Sequence, residues 1–400
     1  MVWGSLEAAK GLVSGRPRGA RALIILLSLD AGPAERSAVA EALAGLGVTV
    51  EEIRLGGRFG FVRTGGAELP AESLQRIAHV ESVVPLAPRA PLALATRQHG
   101  VGKAVAVGEL GEALFGGGHV GVIAGPCTVE EPAALRDIAR TVRAAGAAAL
   151  RGGVFKVRTS PHAYQGGGLP ALRELAAASR EVGLPFFTEI SDPRQVPEVA
   201  EYADGLQIGA RHMQNFPLLT EAGQTGKPVL LKRHMAADVD EWLLAAEYVL
   251  KTGNERVILC ERGLKSSERH VRYLLDVGVV PWLKQRVGLP VIVDPSHSAG
   301  DWRLVPALAR AAIAAGADGL IVEVHPRPET TRCDAAQALP PADFEQLMDD
   351  VRTLAALDGR RLHAPPPVAP VAPVAPSLSP VAPAASATTA APVRSRKVGT

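Results

Sequence analysis

The feature that most constrains this chain is an alternation in its second half. From His119 to about Leu357, eight short and almost continuously apolar runs appear: HVGVIAGP, AALRGG, LPFFTEI, DGLQIGA, KPVLLKR, ERVILCE, LPVIVDP and DGLIVEV. Runs that are apolar on both faces mark buried parallel strands. Between them lie Ala/Leu/Arg-rich stretches with helical spacing, such as Glu131–Ala145, Gly168–Val182, Val239–Leu250 and Leu304–Ala315. Eight strand–helix units in roughly 230 residues have the size of a closed (β/α)8 TIM barrel. An open doubly wound sheet would need a switch point and usually a glycine-rich first turn, and the sequence offers neither.

Ahead of the barrel, residues 21–92 read as a small α+β unit in the order βαββαβ, the order of a ferredoxin-like domain. Its parts are the run Ala22–Leu29, a helix Ala34–Leu46 ended by Gly47, the strands VTVEEIRL and RFGFVRT around Gly56 and Gly57, a helix near Ala71–Ala78, and a strand Val80–Leu86. The first run follows Arg16, Arg18 and Arg21, which gives it the look of a signal peptide. It is short, Asp30 follows at once, and no A-x-A-like cleavage site comes next, so a buried strand is expected.

The remaining divisions are a flexible N-terminus (1–20), a linker (93–118), the barrel (119–357) and a Pro/Ala-rich tail (358–400). The tail, with PPPVAPVAPVAP and a basic VRSRK end, has the composition of a disordered, partly polyproline II segment. Lys and Arg total 43 against 41 Asp and Glu, so no strong field draws the chain to nucleic acid or a membrane. No apolar run approaches the ~20 residues that span a bilayer. Three cysteines argue against a disulfide framework and for a reducing, cytoplasmic setting.

In a barrel of this kind chemistry sits at the carboxyl ends of the strands, and there the polar residues gather. In order they are Cys127; Arg151, Lys156 and Arg158; Glu189 and Asp192; Arg211; Lys232 and Arg233; Glu261 and Arg262; Asp294 and His297; and Glu323 and His325. Closure places the last strand beside the first, so Cys127, His297, Glu323 and Asp334 can converge. Thiolate, imidazole and two carboxylates suit a divalent transition ion such as Mn, Fe, Co or Zn. His325, two residues beyond Glu323, competes for a ligand or supporting role. The cations Arg151, Lys156, Arg158, Arg211, Lys232 and Arg262 share the same rim. Leaving them buried and unpaired would be costly, so either carboxylates such as Glu189, Asp192 and Glu261 neutralise them or phosphate- and carboxylate-bearing ligands do.

The barrel closely resembles 3-deoxy-D-arabino-heptulosonate 7-phosphate (DAHP) synthases of the type I-beta group. The resemblance rests on AGPCTVE (124–130), RGGVFKVRTSPHAYQGGG (151–168), FTEISDPRQV (187–196), YADGLQIGARHMQNFPLL (202–219), GKPVLLKR (226–233), EWLLAAEYVL (241–250), GNERVILCERG (253–263), LPVIVDPSHSAG (289–300) and ADGLIVEVHPRPE (317–329). It implies condensation of phosphoenolpyruvate with erythrose 4-phosphate and water, at the entry to the shikimate route to aromatic amino acids. In that reading Cys127, His297, Glu323 and Asp334 hold the metal. Arg151, Lys156, Arg211, Lys232 and Arg262 clamp phosphoenolpyruvate, and Arg158 with Thr159 faces the aldose phosphate. Lys156, Cys127 and His297 are then the catalytic set, with Lys156 as proton carrier.

The resemblance also implies that the N-terminal unit is an ACT-like regulatory domain with an aromatic amino acid effector, and that the chain is a homotetramer. Departures from the pattern fall at Val157, at His234, and at Pro161-His162-Ala163-Tyr164. Two alternatives stand beside this reading: a related synthase using another aldose, such as 3-deoxy-manno-octulosonate 8-phosphate synthase, and a non-catalytic regulatory barrel.

Overall fold

The apolar run near the N-terminus forms a strand, β1 (Leu23–Leu27), every residue of which is buried. It is followed by helix α1 (Pro33–Gly45), strands β2 (Val48–Leu55) and β3 (Arg58–Gly66), the single-turn helix α2 (Ala71–Leu74) and strand β4 (Val80–Pro85). The sheet is antiparallel in the order β2-β3-β1-β4, the ferredoxin-like arrangement. The α2 helix is shorter than the Ala71–Ala78 stretch expected. This computed structural model describes residues 23–55, 58–85, 90–97, 103–108, 113–156, 160 and 162–364. Residues 1–22, the proline-rich stretch from 365, and Val157, Arg158, Thr159 and Pro161 lie outside the described residues.

Why β1 is apolar on both faces becomes clear from what covers it. Leu23, Ile25 and Leu27 pack with Val39 and Leu43 of α1. Ile24 and Leu26 on the other face pack with Ile53, Val62, Val84 and Ala95. Ala95 belongs to helix α3 (Pro91–Ala95), which runs from the end of the expected N-terminal unit (21–92) into the expected linker (93–118). The same short helix gives Ala93 to the main barrel core. Arg58 extends the junction, with Nη1 2.6 Å from Glu81 Oε1 and Nη2 2.5 Å from Glu255 Oε1, while Lys103 Nζ reaches Glu255 Oε2 at 2.5 Å.

The antiparallel hairpin β5 (Val105–Val107) and β6 (Ala113–Phe115) leads into the barrel. The barrel strands are β7 (His119–Gly125), β8 (Ala149–Arg151), β9 (Phe186–Ile190), β10 (Gly205–Ile208), β11 (Val229–Lys232), β12 (Val257–Glu261), β13 (Val291–Val293) and β14 (Gly319–Glu323). They are parallel and hydrogen-bonded in sequence order, and β14 closes on β7 from Gly319↔Gly121 to Glu323↔Gly125. The crossover helices include α4 (Pro132–Ala144), α5 (Gly168–Val182), α6 (Val196–Tyr202), α7 (Phe216–Gln224), α8 (Val239–Leu250), α9 (Val279–Lys284), α10 (Pro295–Ala299), α11 (Val305–Ala314) and α12 (Pro341–Leu357).

Alternation along each strand divides two cores. Val120, Val122 and Ala124 face the helices. Ile123, Phe187, Leu230, Ile258, Ile292 and Ile321 fill the interior with Val105, Val107 and Phe115 of the hairpin. The hairpin therefore plugs the amino end, with Phe115 edge-on to Phe187 at 6.2 Å, and leaves the carboxyl end for chemistry. One further strand, β15 (Arg361–His363), pairs in parallel with the first residues of β7, His119–Gly121, inside the 358–400 stretch that the sequence assigns to the tail.

Candidate active site

At the carboxyl ends of the strands lies one cleft of about 290 Å³, lined by Lys156, Glu189, Arg211, Lys232, Arg262, His297 and Asp334 among others. Gly125 ends β7 at φ 152°, and a Cβ there would sit 2.2 Å from the Arg151 carbonyl oxygen. Only glycine lets β7 and β8 approach so closely before the chain turns into Cys127. Cys127, His297, Glu323 and Asp334 each bring a ligand atom to within 4.8 Å of the others. His297 comes from α10, Glu323 from the last residue of β14, and Asp334 from the loop beyond it.

The surroundings prepare these groups as donors. Asp294 caps α10 by accepting the His297 amide at Oδ1, and its Oδ2 lies 2.8 Å from His297 Nδ1. His297 Nε2 is thereby turned toward Glu323 Oε1 at 3.3 Å and Asp334 Oδ2 at 3.9 Å. Burial lowers the His297 pKa against the pull of Asp294 and Glu323, which favours neutral imidazole. Burial raises the Cys127 thiol well above its ordinary value, helped by its contact with Cys333. Burial opposes charge on Glu323 and Asp334, yet nearby cations hold both carboxyls below the usual range. Glu323 is fully buried and its Oε1 makes no hydrogen bond, although Arg151 Nη2 lies 3.2 Å away. A buried carboxylate oxygen without a donor, facing an imidazole nitrogen and a thiol, is what a divalent ion would satisfy. The donor set therefore fits a metal.

The cations meet the same cleft. Lys156, Arg211, Lys232 and Arg262 line it. Arg151 is buried beneath, with Nη2 3.3 Å from the Cys127 carbonyl oxygen. Lys232 Nζ is 2.5 Å from Asp294 Oδ2, and Lys156 Nζ is 3.8 Å from Asp334 Oδ2. Burial opposes charge on Lys156, but Cys127, Glu189 and Glu323 raise its pKa above the ordinary lysine value. Of the carboxylates expected to neutralise the rim, Asp192 caps its own turn and pairs with Arg194, and Glu261 pairs with Arg233. Of these three, Glu189 alone lines the cleft, accepting a hydrogen bond from Gln207 Nε2.

His325 is not brought to the four donors. Its Nδ1 accepts the Arg327 amide, and it lines a separate cavity beside α4. The strand ends at Glu323, so alternation no longer governs position 325. His234 does not line the cleft; its Nδ1 accepts the Ala236 amide. Arg158 and Thr159, the pair expected to face the aldose phosphate, lie outside the described residues.

Sequence reasoning missed four neighbours. Arg272 Nη1 donates to Gln337 Oε1 at 2.8 Å and lies 3.3 Å from Asp334 Oδ1. Gln337 Nε2 donates to Glu323 Oε2 at 2.8 Å. Tyr273 lies under the Arg262 guanidinium, 4.0 Å from ring centre to Cζ. Cys333 Sγ is 3.1 Å from Cys127 Sγ. Arg272, Tyr273 and Cys333 lie in loops and Gln337 in the short 3-10 turn Ala335–Gln337, where no strand-end rule points to them.

The fold and site define a class: a closed barrel whose carboxyl end joins four side chains that could hold a metal ion to a cleft lined by basic residues. The comparisons with known proteins agree. The DAHP synthetase I family model matches residues 99–356, and the chain belongs to that family. A phospho-2-dehydro-3-deoxyheptonate aldolase of Thermotoga maritima is 46% identical over 247 residues, 62% of this chain and 73% of the relative. A 2-dehydro-3-deoxyphosphooctonate aldolase of Syntrophotalea carbinolica is 35% identical over 269 residues, 62% of this chain and 95% of the relative. The crystal structure of the Thermotoga maritima phospho-2-dehydro-3-deoxyheptonate aldolase (DAHP synthase) superposes with a TM-score of 0.65 at 36% identity, covering 86% of this chain and 100% of that one.

Proposed function

We infer that this chain condenses phosphoenolpyruvate with erythrose 4-phosphate and water, giving DAHP and inorganic phosphate. The observation that carries the reading is the meeting of Cys127, His297, Glu323 and Asp334 with a cleft lined by Lys156, Arg211, Lys232 and Arg262. In the reaction C3 of phosphoenolpyruvate bonds to the aldehyde carbon, water adds at C2, and phosphate leaves with cleavage of the C2–O bond. A divalent ion held by the four donors would supply Lewis acidity toward a carbonyl oxygen.

The chain's own residues do the rest. Arg211, Lys232 and Arg262, with Arg151 beneath, fix the phosphate and carboxylate of phosphoenolpyruvate by charge-assisted hydrogen bonds. Lys156, held protonated beside Asp334, carries the proton for the aldehyde oxygen. Arg158 and Thr159 receive the aldose phosphate, as the family resemblance implies. The N-terminal unit would take an aromatic amino acid effector, and the chain would assemble as a homotetramer, on the same ground. No described helix is long and apolar enough to cross a membrane; a cytoplasmic setting fits the enzyme class.

Aldose choice is the point at which relatives divide. Consumption of phosphoenolpyruvate should require erythrose 4-phosphate and be absent with arabinose 5-phosphate. Turnover with arabinose 5-phosphate alone would move the chain to the phosphooctonate branch, and turnover with neither would support a regulatory barrel.

A further inference from the structure

We propose that Arg272 and Gln337 form a brace that sets the spacing of the metal donors, a positioning role rather than a catalytic one. The proposal rests on the reading of Cys127, His297, Glu323 and Asp334 as a metal centre and goes beyond it. One guanidinium nitrogen of Arg272 serves both arms: Nη1 donates to Gln337 Oε1 at 2.8 Å and faces Asp334 Oδ1 at 3.3 Å. Gln337 passes the link on, with Nε2 donating to Glu323 Oε2 at 2.8 Å. The two carboxylate donors, one at a strand end and one in a loop, are thus joined through oxygens turned away from their neighbours. Glu323 Oε1 and Asp334 Oδ2 are left facing His297 Nε2.

The third donor is tied to the same segment through the backbone. The Arg272 amide donates to the Ala299 carbonyl and the Tyr273 amide to the Ser298 carbonyl, which pins this loop along α10, the helix that carries His297. Gly300 at the end of α10 has φ 71°, and a Cβ there would strike the Arg272 Cβ at 2.6 Å. Asp334 itself is a non-glycine residue at φ 53°, a backbone state that persists only where the surroundings hold it. Groups that hold metal ligands in place commonly act through such outer contacts.

The brace and simple electrostatics predict opposite signs. A guanidinium beside a dication repels it, so charge alone says that removing Arg272 should tighten metal binding. A brace says that removal loosens it. The test measures Mn²⁺ binding to the full chain from the free-ion paramagnetic resonance signal, with unfolding in chelator as a check that each variant is folded. Arg272→Ala and Gln337→Met should each weaken Mn²⁺ binding by about 10- to 100-fold, with Arg272→Lys between Arg272→Ala and the parent. The double change should cost less than the sum of the two, because both break one chain of contacts. Unchanged or tighter binding in a folded variant overturns the brace. Should Arg272→Ala fail to fold, Gln337→Met decides by the same criterion, since it cuts the link without altering charge. If the parent chain itself does not hold Mn²⁺, the metal reading fails first, an outcome distinct from a parent that binds and variants that bind equally.

Discussion

Asp294 Oδ2 stands 2.8 Å from His297 Nδ1 and 2.5 Å from Lys232 Nζ, so one buried carboxylate contacts both a proposed metal donor and a proposed substrate-binding cation. Burial opposes its charge, yet His297 and Lys232 hold its carboxyl well below the usual range. Asp294→Asn keeps an acceptor for the imidazole but removes the charge. It should weaken Mn²⁺ binding by about tenfold or more and raise the KM for phosphoenolpyruvate as Lys232 loses its partner. A change in neither quantity would detach Asp294 from both sites.

Cys127 is the soft member of the donor set. Cys127→Ser puts a hydroxyl that stays protonated where a thiolate is needed. Its effect on metal retention should exceed the roughly 100-fold upper range of outer-contact changes, and turnover should fall with it. Metal content after dialysis, measured beside turnover, checks this.

Arg262 combines a planar fork with stacking on Tyr273. Arg262→Lys keeps the charge and loses both. Hydrogen bonds to charged groups contribute roughly 1.5–3 kcal/mol, so the KM for phosphoenolpyruvate should rise about 10-fold or more. Steady-state kinetics at saturating aldose read it, and an unchanged KM would place phosphoenolpyruvate elsewhere.

Glu247 of α8 accepts the Ala93 amide of α3 at 2.6 Å, at the junction of the N-terminal unit with the barrel. Burial pushes its carboxyl up to about 8 from an ordinary value of 4.5. Between those values the folded chain keeps a proton that the unfolded chain has lost, so this group's stabilising contribution is present below 4.5 and lost as pH rises through about 8. Glu247→Gln retains an acceptor that cannot ionise. Its melting temperature should fall less than the parent's from about pH 5 to about pH 9, and parallel curves would contradict the assignment.

Much of this was legible in the residues. Runs such as VILCE and GLIVE are apolar on both faces because helices cover one side and the barrel interior the other, and Gly168–Val182 and Val239–Leu250 are helices at those bounds. The convergence of Cys127 with Glu323 follows from closure of β14 on β7, which the strand order implies. Arg272 and Gln337 were not legible, because two loops far apart in sequence meet only through α10 and the turn after β14. The place of His325 was misjudged for a related reason: alternation predicts facing only while the strand continues. Nor did composition show that a helix, α3 (Pro91–Ala95), crosses the expected boundary between the N-terminal unit and the linker and is shared between two cores.

The central claim is that the four donors form a metal centre on which the condensation depends. Phosphate release from phosphoenolpyruvate with erythrose 4-phosphate should disappear from the metal-stripped chain and return on adding Mn²⁺ or another divalent transition ion. Full turnover in the stripped chain, with metal content verified as nil, would contradict the account.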